Sequence, residues 1–161
     1  MIVADTGPLI AFARIGRLDL LQQVVGQLVI PQAVYDDLVL KGRGRSGAAE
    51  LERASWIQRR AITDRAALAR LPRNLHLGES EAIVLAEELG AQLLMDERRG
   101  RQVAIDRGID VLGSLAIVAE AKRRGLITQA KPLVGAFLGA GYWIDEELIP
   151  LFLKELGERE A

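Results

Sequence analysis

The 161-residue sequence contains no cysteine and a single histidine, His76. The absence of cysteine excludes disulfide bonds, thiol nucleophiles, iron–sulfur clusters and cysteine-ligated zinc, and it agrees with a reducing cytosol. A single histidine excludes any site that needs two imidazole groups.

Aromatic residues and long apolar runs are also scarce. At 4% aromatic content, a base-stacking platform of the single-strand-binding kind is not expected. No run of about 18 apolar residues is present, so no membrane span is expected. Asp5 interrupts the apolar segment 1–16 and no basic segment precedes it. We therefore expect this segment to be folded structure in a cytoplasmic protein, and not a signal peptide.

What the sequence does contain is typical of one globular domain covering residues 1–161, with 50% hydrophobic and 27% charged residues. The net charge of −1 hides an uneven distribution. Residues 41–73 hold nine basic and three acidic side chains, whereas residues 74–96 hold five acidic and no Lys or Arg. Such neighbouring blocks suit a metal pocket beside a phosphate-binding flank, or two solvated helix faces.

Short apolar runs alternate with helical patterns along the chain. Strands are predicted at 2–4, 28–30, 56–62, 91–95 and 109–112. A first helix is predicted from Pro8 onward, and a second at 31–40 with Pro31 as its first residue. Further helices are predicted at 48–54, 64–71, 79–89, 98–107, 114–124, 129–138 and 145–156, and Ser114 is the expected cap of the helix at 114–124. This alternation predicts an α/β fold in three α/β/α layers, Rossmann-like, with a central parallel sheet of about five strands.

Two aspartates come directly after predicted strands. Asp5 follows the first strand and Asp96 the fourth, so both are expected at the same edge of the sheet, where such folds bind ligands. Each could instead be a turn former or a helix cap. Together they would repel each other unless a cation lay between them.

Two more acids are candidates for the same site. Glu79 lies in the first turn of a predicted helix, where it would also suit the helix dipole. Asp37 lies towards the end of a helix, where a carboxylate opposes the dipole, and we prefer it to its neighbour Asp36. A site built of carboxylate oxygens suits a hard cation such as Mg²⁺ or Mn²⁺.

Four segments in order resemble the PIN domain, the metal-dependent nuclease fold of VapC-type toxins. They are ADTGPLI (4–10), IPQAVYDDL (30–38), LGESEAIVLA (77–86) and LLMDERRGR (93–101). The later stretches GSLAIVAEAKRRGLI (113–127) and GYWID (141–145) resemble one branch of that family. The resemblance covers nearly the whole chain.

The resemblance implies roles for particular residues. The four family acids match Asp5, Asp37, Glu79 and Asp96, of which Asp5, Glu79 and Asp96 are expected to bind the metal. Supporting or substrate-contacting residues would be Thr6, Glu81 (an alternative third ligand) and Arg101 (which could contact RNA or pair with a site acid). The sequence departs from the family pattern at Gly7, where relatives usually have Ser or Asn, and at Asp37, where they commonly have Glu.

The implied function is hydrolysis of single-stranded RNA with Mg²⁺ or Mn²⁺, as the toxin of a type II toxin–antitoxin pair. The implied partners are RNA, an antitoxin protein and a second copy of the chain. The alternative is a PIN domain with little or no activity that binds RNA or protein. A haloacid-type phosphatase is disfavoured because Gly7 stands where its second aspartate belongs, and a phospho-receiver because no Lys accompanies the strand at 109–112.

Weaker candidates lie elsewhere. Arg43 and Arg45 could contact phosphates, although the segment KGRGRSG lacks the ending of a P-loop and suits a solvated loop. His76 is expected to be a surface or packing residue. Trp56 and Trp143 are expected in the core or at an interface.

Overall fold

The computed structural model describes residues 1–45 and 47–158. The strands are β1 (Ile2–Ala4), β2 (Leu28–Ile30), β3 (Ile57–Arg59), β4 (Gln92–Leu94) and β5 (Val111–Leu112). The helices are α1 (Thr6–Arg14), α2 (Leu18–Val25), α3 (Gln32–Tyr35), α4 (Ala48–Arg53), α5 (Arg65–Ala69), α6 (Leu77–Leu89), α7 (Arg98–Asp106), α8 (Ser114–Arg123), α9 (Lys131–Gly139) and α10 (Leu148–Glu155). A π-helical turn, Asp36–Leu40, continues α3.

The five strands form one parallel sheet in the order β3-β2-β1-β4-β5. After β1, the strands β2 and β3 extend the sheet on one side of β1, and β4 and β5 then extend it on the other side. Strand order therefore reverses between β1 and β4, which pair with Ala4 opposite Leu94. In sheets of this kind the carboxyl ends of two such strands flank the ligand crevice.

Side chains of the strands pack alternately into two separate hydrophobic cores, because successive residues of a strand point to opposite faces of the sheet. Ala4 and Leu94 join a cluster with α1, α2, α8 and α9. Val3 and Leu93 join a second cluster with α5, α6 and α7. Helices thus cover both faces, and the predicted three-layer α/β/α architecture is confirmed.

Several local predictions differ from the structure. Helix α2, which buries Leu18, Leu20 and Leu21, was not predicted. The third strand is shorter than expected, because the polar residues after Ile57 are exposed at the sheet edge. The prediction of Ser114 as a helix cap was wrong: Gly113 is the cap, and Ser114 is the first helical residue.

Among the described residues, no helix combines the length and the apolar character needed to cross a lipid bilayer.

Candidate active site

A cavity of about 410 Å³ opens at the carboxyl ends of β1 and β4. All four predicted acids line it, together with Thr6, and each acid comes from a different segment of the chain. The lining residues are Asp5, Thr6, Gly7, Asp37, His76, Gly78, Glu79, Asp96, Glu97, Tyr142 and Trp143. The structure therefore brings together acids that are scattered over residues 5–96 of the sequence. They meet at the switch point of the sheet, where strand order reverses between β1 and β4.

Asp5 is the most deeply buried acid of the cavity, with only 5% of its surface exposed. Its backbone N–H donates to the Leu94 carbonyl (2.9 Å), which ties the end of β1 to β4. Burial raises the pKa of Asp5 to about 7; the Thr6 backbone amide offsets part of this rise, and the charges of Glu79, Asp37 and Asp96 add to it. A cation bound beside Asp5 would favour its ionised form.

Asp96 is held at the start of α8. Its Oδ1 accepts the Ser114 backbone N–H (2.8 Å), and its Oδ2 accepts the Ser114 hydroxyl. The partial positive charge of a helix N-terminus favours a carboxylate there. Gly113 permits this approach, since a Cβ at that position would lie only 2.7 Å from Asp96 Oδ1.

Glu79 enters the cavity from the first turn of α6. One of its oxygens, Oε2, accepts the His76 backbone N–H (3.2 Å), so the side chain also caps its helix. Burial raises the pKa of Glu79, and the nearby Glu97 carboxylate raises it further. Glu79 thus adds a second acid whose ionisation a bound cation would favour.

Asp37 lies on the π-helical turn and is partly exposed, with 32% of its side-chain surface open. Its Oδ2 accepts the Thr6 hydroxyl (3.3 Å), and its Oδ1 is 3.3 Å from Lys41 Nζ. Gly78 allows α6 to pass close by, because a Cβ there would lie 3.0 Å from Asp37 Oδ2. Asp36 does not line the cavity and accepts a hydrogen bond from Gln32 (2.7 Å).

Two predicted supporting residues lie outside the lining of this cavity. Glu81 is buried, and its Oε1 accepts the Ala33 backbone N–H (3.0 Å) at the start of α3. Arg101 donates through Nη1 to the Met95 carbonyl (2.8 Å). It lines a neighbouring cavity of about 500 Å³ that shares Asp96 with the first.

The structure also places residues in the cavity that were not predicted as site residues. The Tyr142 hydroxyl donates to Asp96 Oδ2. Burial and the charge of Asp96 raise the pKa of Tyr142 well above its usual range, so the hydroxyl stays protonated.

Glu97 caps α7 by accepting the Arg99 and Gly100 backbone N–H groups. His76 ends the loop before α6, and Trp143 is 76% exposed at the rim and not in the core.

The donor set fits a divalent ion only in part. Its chemistry suits Mg²⁺ or Mn²⁺, because the cavity offers carboxylate oxygens and a buried acid that repels its neighbours. Within residues 1–45 and 47–158, however, no group of three or more acidic or histidine side chains is close enough to hold an ion. A hydrated ion bound directly by one or two carboxylates is compatible with this spacing.

Comparison with known proteins bears on the family and the fold. A family model described as a PIN domain matches residues 1–158. Among solved structures, the chain is similar to a PilT N-terminus domain protein from the hyperthermophilic archaeon Sulfolobus solfataricus P2, with 20% identity and a TM-score of 0.57. That similarity covers 75% of this chain and 93% of the archaeal chain, and it concerns the fold alone. Comparison with curated proteins gives no match.

Proposed function

The chain belongs to the PIN domain family, whose members are generally nucleases that use divalent metals, and from this premise we propose that it is an endoribonuclease. In this proposal it hydrolyses phosphodiester bonds of single-stranded RNA with Mg²⁺ or Mn²⁺. The supporting observation is the convergence of Asp5, Asp37, Glu79 and Asp96 on one cavity at the switch point of the sheet.

The four acids differ in surroundings, and these differences suggest different roles. Asp5 and Glu79 are buried, and with Asp96 they are the residues we assign to holding the ion, one or two of them directly and the rest through its bound waters. Asp37 is partly open to solvent, so we assign it to orienting the attacking water. When bound, Mg²⁺ or Mn²⁺ supplies Lewis-acid stabilisation of the charge on the phosphate. Thr6 donates to Asp37 and so limits its rotation.

A polyanionic substrate suits the basic segment 41–73. Its arginines are exposed in the structure, including Arg43, Arg45, Arg59 and Arg60. Arg45 also lines a small cavity that contains Asp37, which places part of this basic surface beside the site. Contacts of this kind bind the phosphate backbone without reading its sequence.

The narrower role that we propose is that of a toxin in a type II toxin–antitoxin pair, acting as a homodimer that an antitoxin silences. It is supported by the resemblance of the sequence to VapC-type proteins. A second copy would have apolar surface to cover, because Trp143, Leu148 and Leu151 are all at least half exposed.

A second candidate function is RNA or protein binding without cleavage. It is favoured by the spacing of the acids, since no three of them form a ready metal site in the described part of the chain. The ion pair between Lys41 and Asp37 favours it too, because Lys41 occupies a carboxylate oxygen that the nuclease needs.

Cleavage of a mixed pool of labelled single-stranded RNAs tests the proposal, with freshly purified protein and Mn²⁺ or Mg²⁺. We expect cutting by the wild type that EDTA stops and that Asp5→Asn abolishes. The matched control is Asp19→Asn, which changes an exposed aspartate that pairs with Arg17 and should cut normally. RNA binding that is unaffected by EDTA, without any cutting, would favour the second candidate.

A further inference from the structure

Tyr142 reaches the candidate site from a distant part of the sequence. It lies in the loop between α9 and α10, yet its hydroxyl donates to Asp96 Oδ2 and it lines the acidic cavity. The Ser114 and Tyr142 hydroxyls both donate to Asp96 Oδ2, and the Ser114 backbone N–H donates to Oδ1. A carboxylate that accepts these three hydrogen bonds has little freedom to rotate.

Packing with the core fixes the position of Tyr142 independently of this hydrogen bond. Gly141 adopts φ +85°, which turns the chain sharply after α9. The Tyr142 N–H then donates to the Phe137 carbonyl (2.9 Å), and the two ring centroids are 5.9 Å apart. Phe137 in turn packs edge-on against Phe12 of α1 at 5.1 Å. The phenol is thus anchored to the same core cluster as the helix that follows Asp5.

The phenol also lies beside the space that Gly7 leaves open. A Cβ on Gly7 would lie 3.6 Å from Tyr142 Oη, and it would meet no other described atom within 4 Å. On these contacts we propose that Tyr142 is a positioning residue, which holds Asp96 in the orientation that binds the divalent ion. This inference rests on the proposed function, because it assigns Asp96 to the metal.

The first test measures Mn²⁺ affinity by calorimetry, without RNA. Tyr142→Phe keeps the ring on Phe137 and removes only the hydroxyl. We expect it to weaken Mn²⁺ binding about tenfold or more, which is the usual effect of losing a partner of a metal ligand. The matched control is Tyr35→Phe, since Tyr35 packs under Arg59 (4.1 Å) away from the cavity. It should bind Mn²⁺ like the wild type.

A second measurement separates positioning from general stability. In the Tyr142→Phe background, Gly7→Ser places a new hydroxyl next to the vacated position, whereas Gly7→Ala adds only a methyl group. We expect the serine variant to regain part of the lost Mn²⁺ affinity and the alanine variant to regain none. A merely structural role for Tyr142 would not produce this difference.

The inference and the proposed function can fail separately. If the wild type cuts RNA and Tyr142→Phe binds Mn²⁺ and cuts like the wild type, Tyr142 is not a positioning residue. If the wild type binds Mn²⁺ but never cuts RNA, and Tyr142→Phe still weakens binding, the nuclease is wrong while the role of Tyr142 stands. Absence of Mn²⁺ binding by the wild type would overturn both.

Discussion

At the scale of single residues, burial has the largest effect on the pKa of Asp5. An exposed aspartate is ionised at neutral pH, but burial and three neighbouring acids raise the pKa of Asp5 from its ordinary value of 3.8 to about 7. The folded protein therefore holds a proton on Asp5 over a pH range in which the unfolded chain has lost it. The stability of the fold must fall as the pH rises through that range.

Asp5→Asn should consequently stabilise the metal-free protein more at pH 8 than at pH 4. Asparagine stays neutral, so the variant escapes the cost of ionising a buried carboxyl, which is at most about 4 kcal/mol for a shift of roughly three pKa units. Urea unfolding in EDTA at both pH values measures the difference. An Asp5→Asn effect that did not depend on pH would contradict the pKa of about 7.

Glu79 and Glu81 are both buried on α6 but differ in what they contact. Glu79 lines the cavity, whereas Glu81 accepts the Ala33 N–H. We expect Glu79→Gln to slow RNA cleavage by about 100-fold, as for a metal ligand or an acid–base group. Glu81→Gln keeps an oxygen for Ala33 and should cut within about twofold of the wild type, given that a neutral hydrogen bond contributes only about 1 kcal/mol.

Rates of the two variants, measured on the same RNA pool, distinguish these assignments. Their urea midpoints should show whether either substitution acts by unfolding the protein. Loss of cleavage in Glu81→Gln with an unchanged midpoint would restore Glu81 as the third ligand, which is the alternative that the sequence left open.

At the scale of elements, glycines allow backbone and carboxylate to come close together. The loop from β5 into α8 passes so near Asp96 that a Cβ on Gly113 would lie 2.7 Å from Oδ1 and 3.0 Å from Arg101 Nη1. Asp96 can accept the Ser114 N–H at the start of α8 and face the cavity only because that Cβ is missing. The same loop thus leads into α8 and holds Asp96 at the cavity.

Gly113→Ala should therefore displace Asp96 and weaken Mn²⁺-dependent cleavage about tenfold or more, in line with the loss of support around a metal ligand. Gly135→Ala in α9 is the matched control, because its Cβ meets no described atom within 4 Å. That control should cut normally and gain about 0.5–1 kcal/mol of stability. Equal cleavage by both alanine variants would show that Asp96 tolerates the displacement.

Some helices and strands could be predicted from sequence patterns, and others could not. The strands and the helix after His76 were predictable because apolar runs and periodicity are local signals. Helix α2 was missed although Leu18, Leu20 and Leu21 are buried, since an eight-residue helix without a capping side chain gives a weak signal. The π-helical turn that presents Asp37 depends on tertiary packing, which a local pattern does not record.

At the scale of the whole molecule, topology assembles the cavity. Asp5 and Asp96 were predictable as neighbours because each follows a strand, and parallel strands end at one edge. Tyr142 was not, since it contacts Asp96 from 46 residues away and its place depends on Phe12 and Phe137. Burial of Asp5 likewise follows from packing on both faces of the sheet. The sequence therefore predicted which acids lie together, whereas their surroundings required the fold.

The convergence of the acids has one consequence for the whole protein. Four carboxylates around one cavity repel each other, and a divalent ion that bound there would stabilise the folded state by an amount that grows with the logarithm of the ion concentration divided by its Kd. That the cavity takes such an ion at all is the central claim, because the proposed cleavage and the proposed role of Tyr142 both depend on it.

Calorimetric titration of the metal-free wild type with Mn²⁺, up to about 1 mM ion at pH 7.5, is the most direct test of that claim. We predict saturable binding that Asp96→Asn abolishes and that Asp106→Asn, which changes an exposed aspartate of α7, leaves intact. Absence of saturable binding, or equal binding by wild type and Asp96→Asn, would contradict the metal site and leave RNA or protein binding as the function.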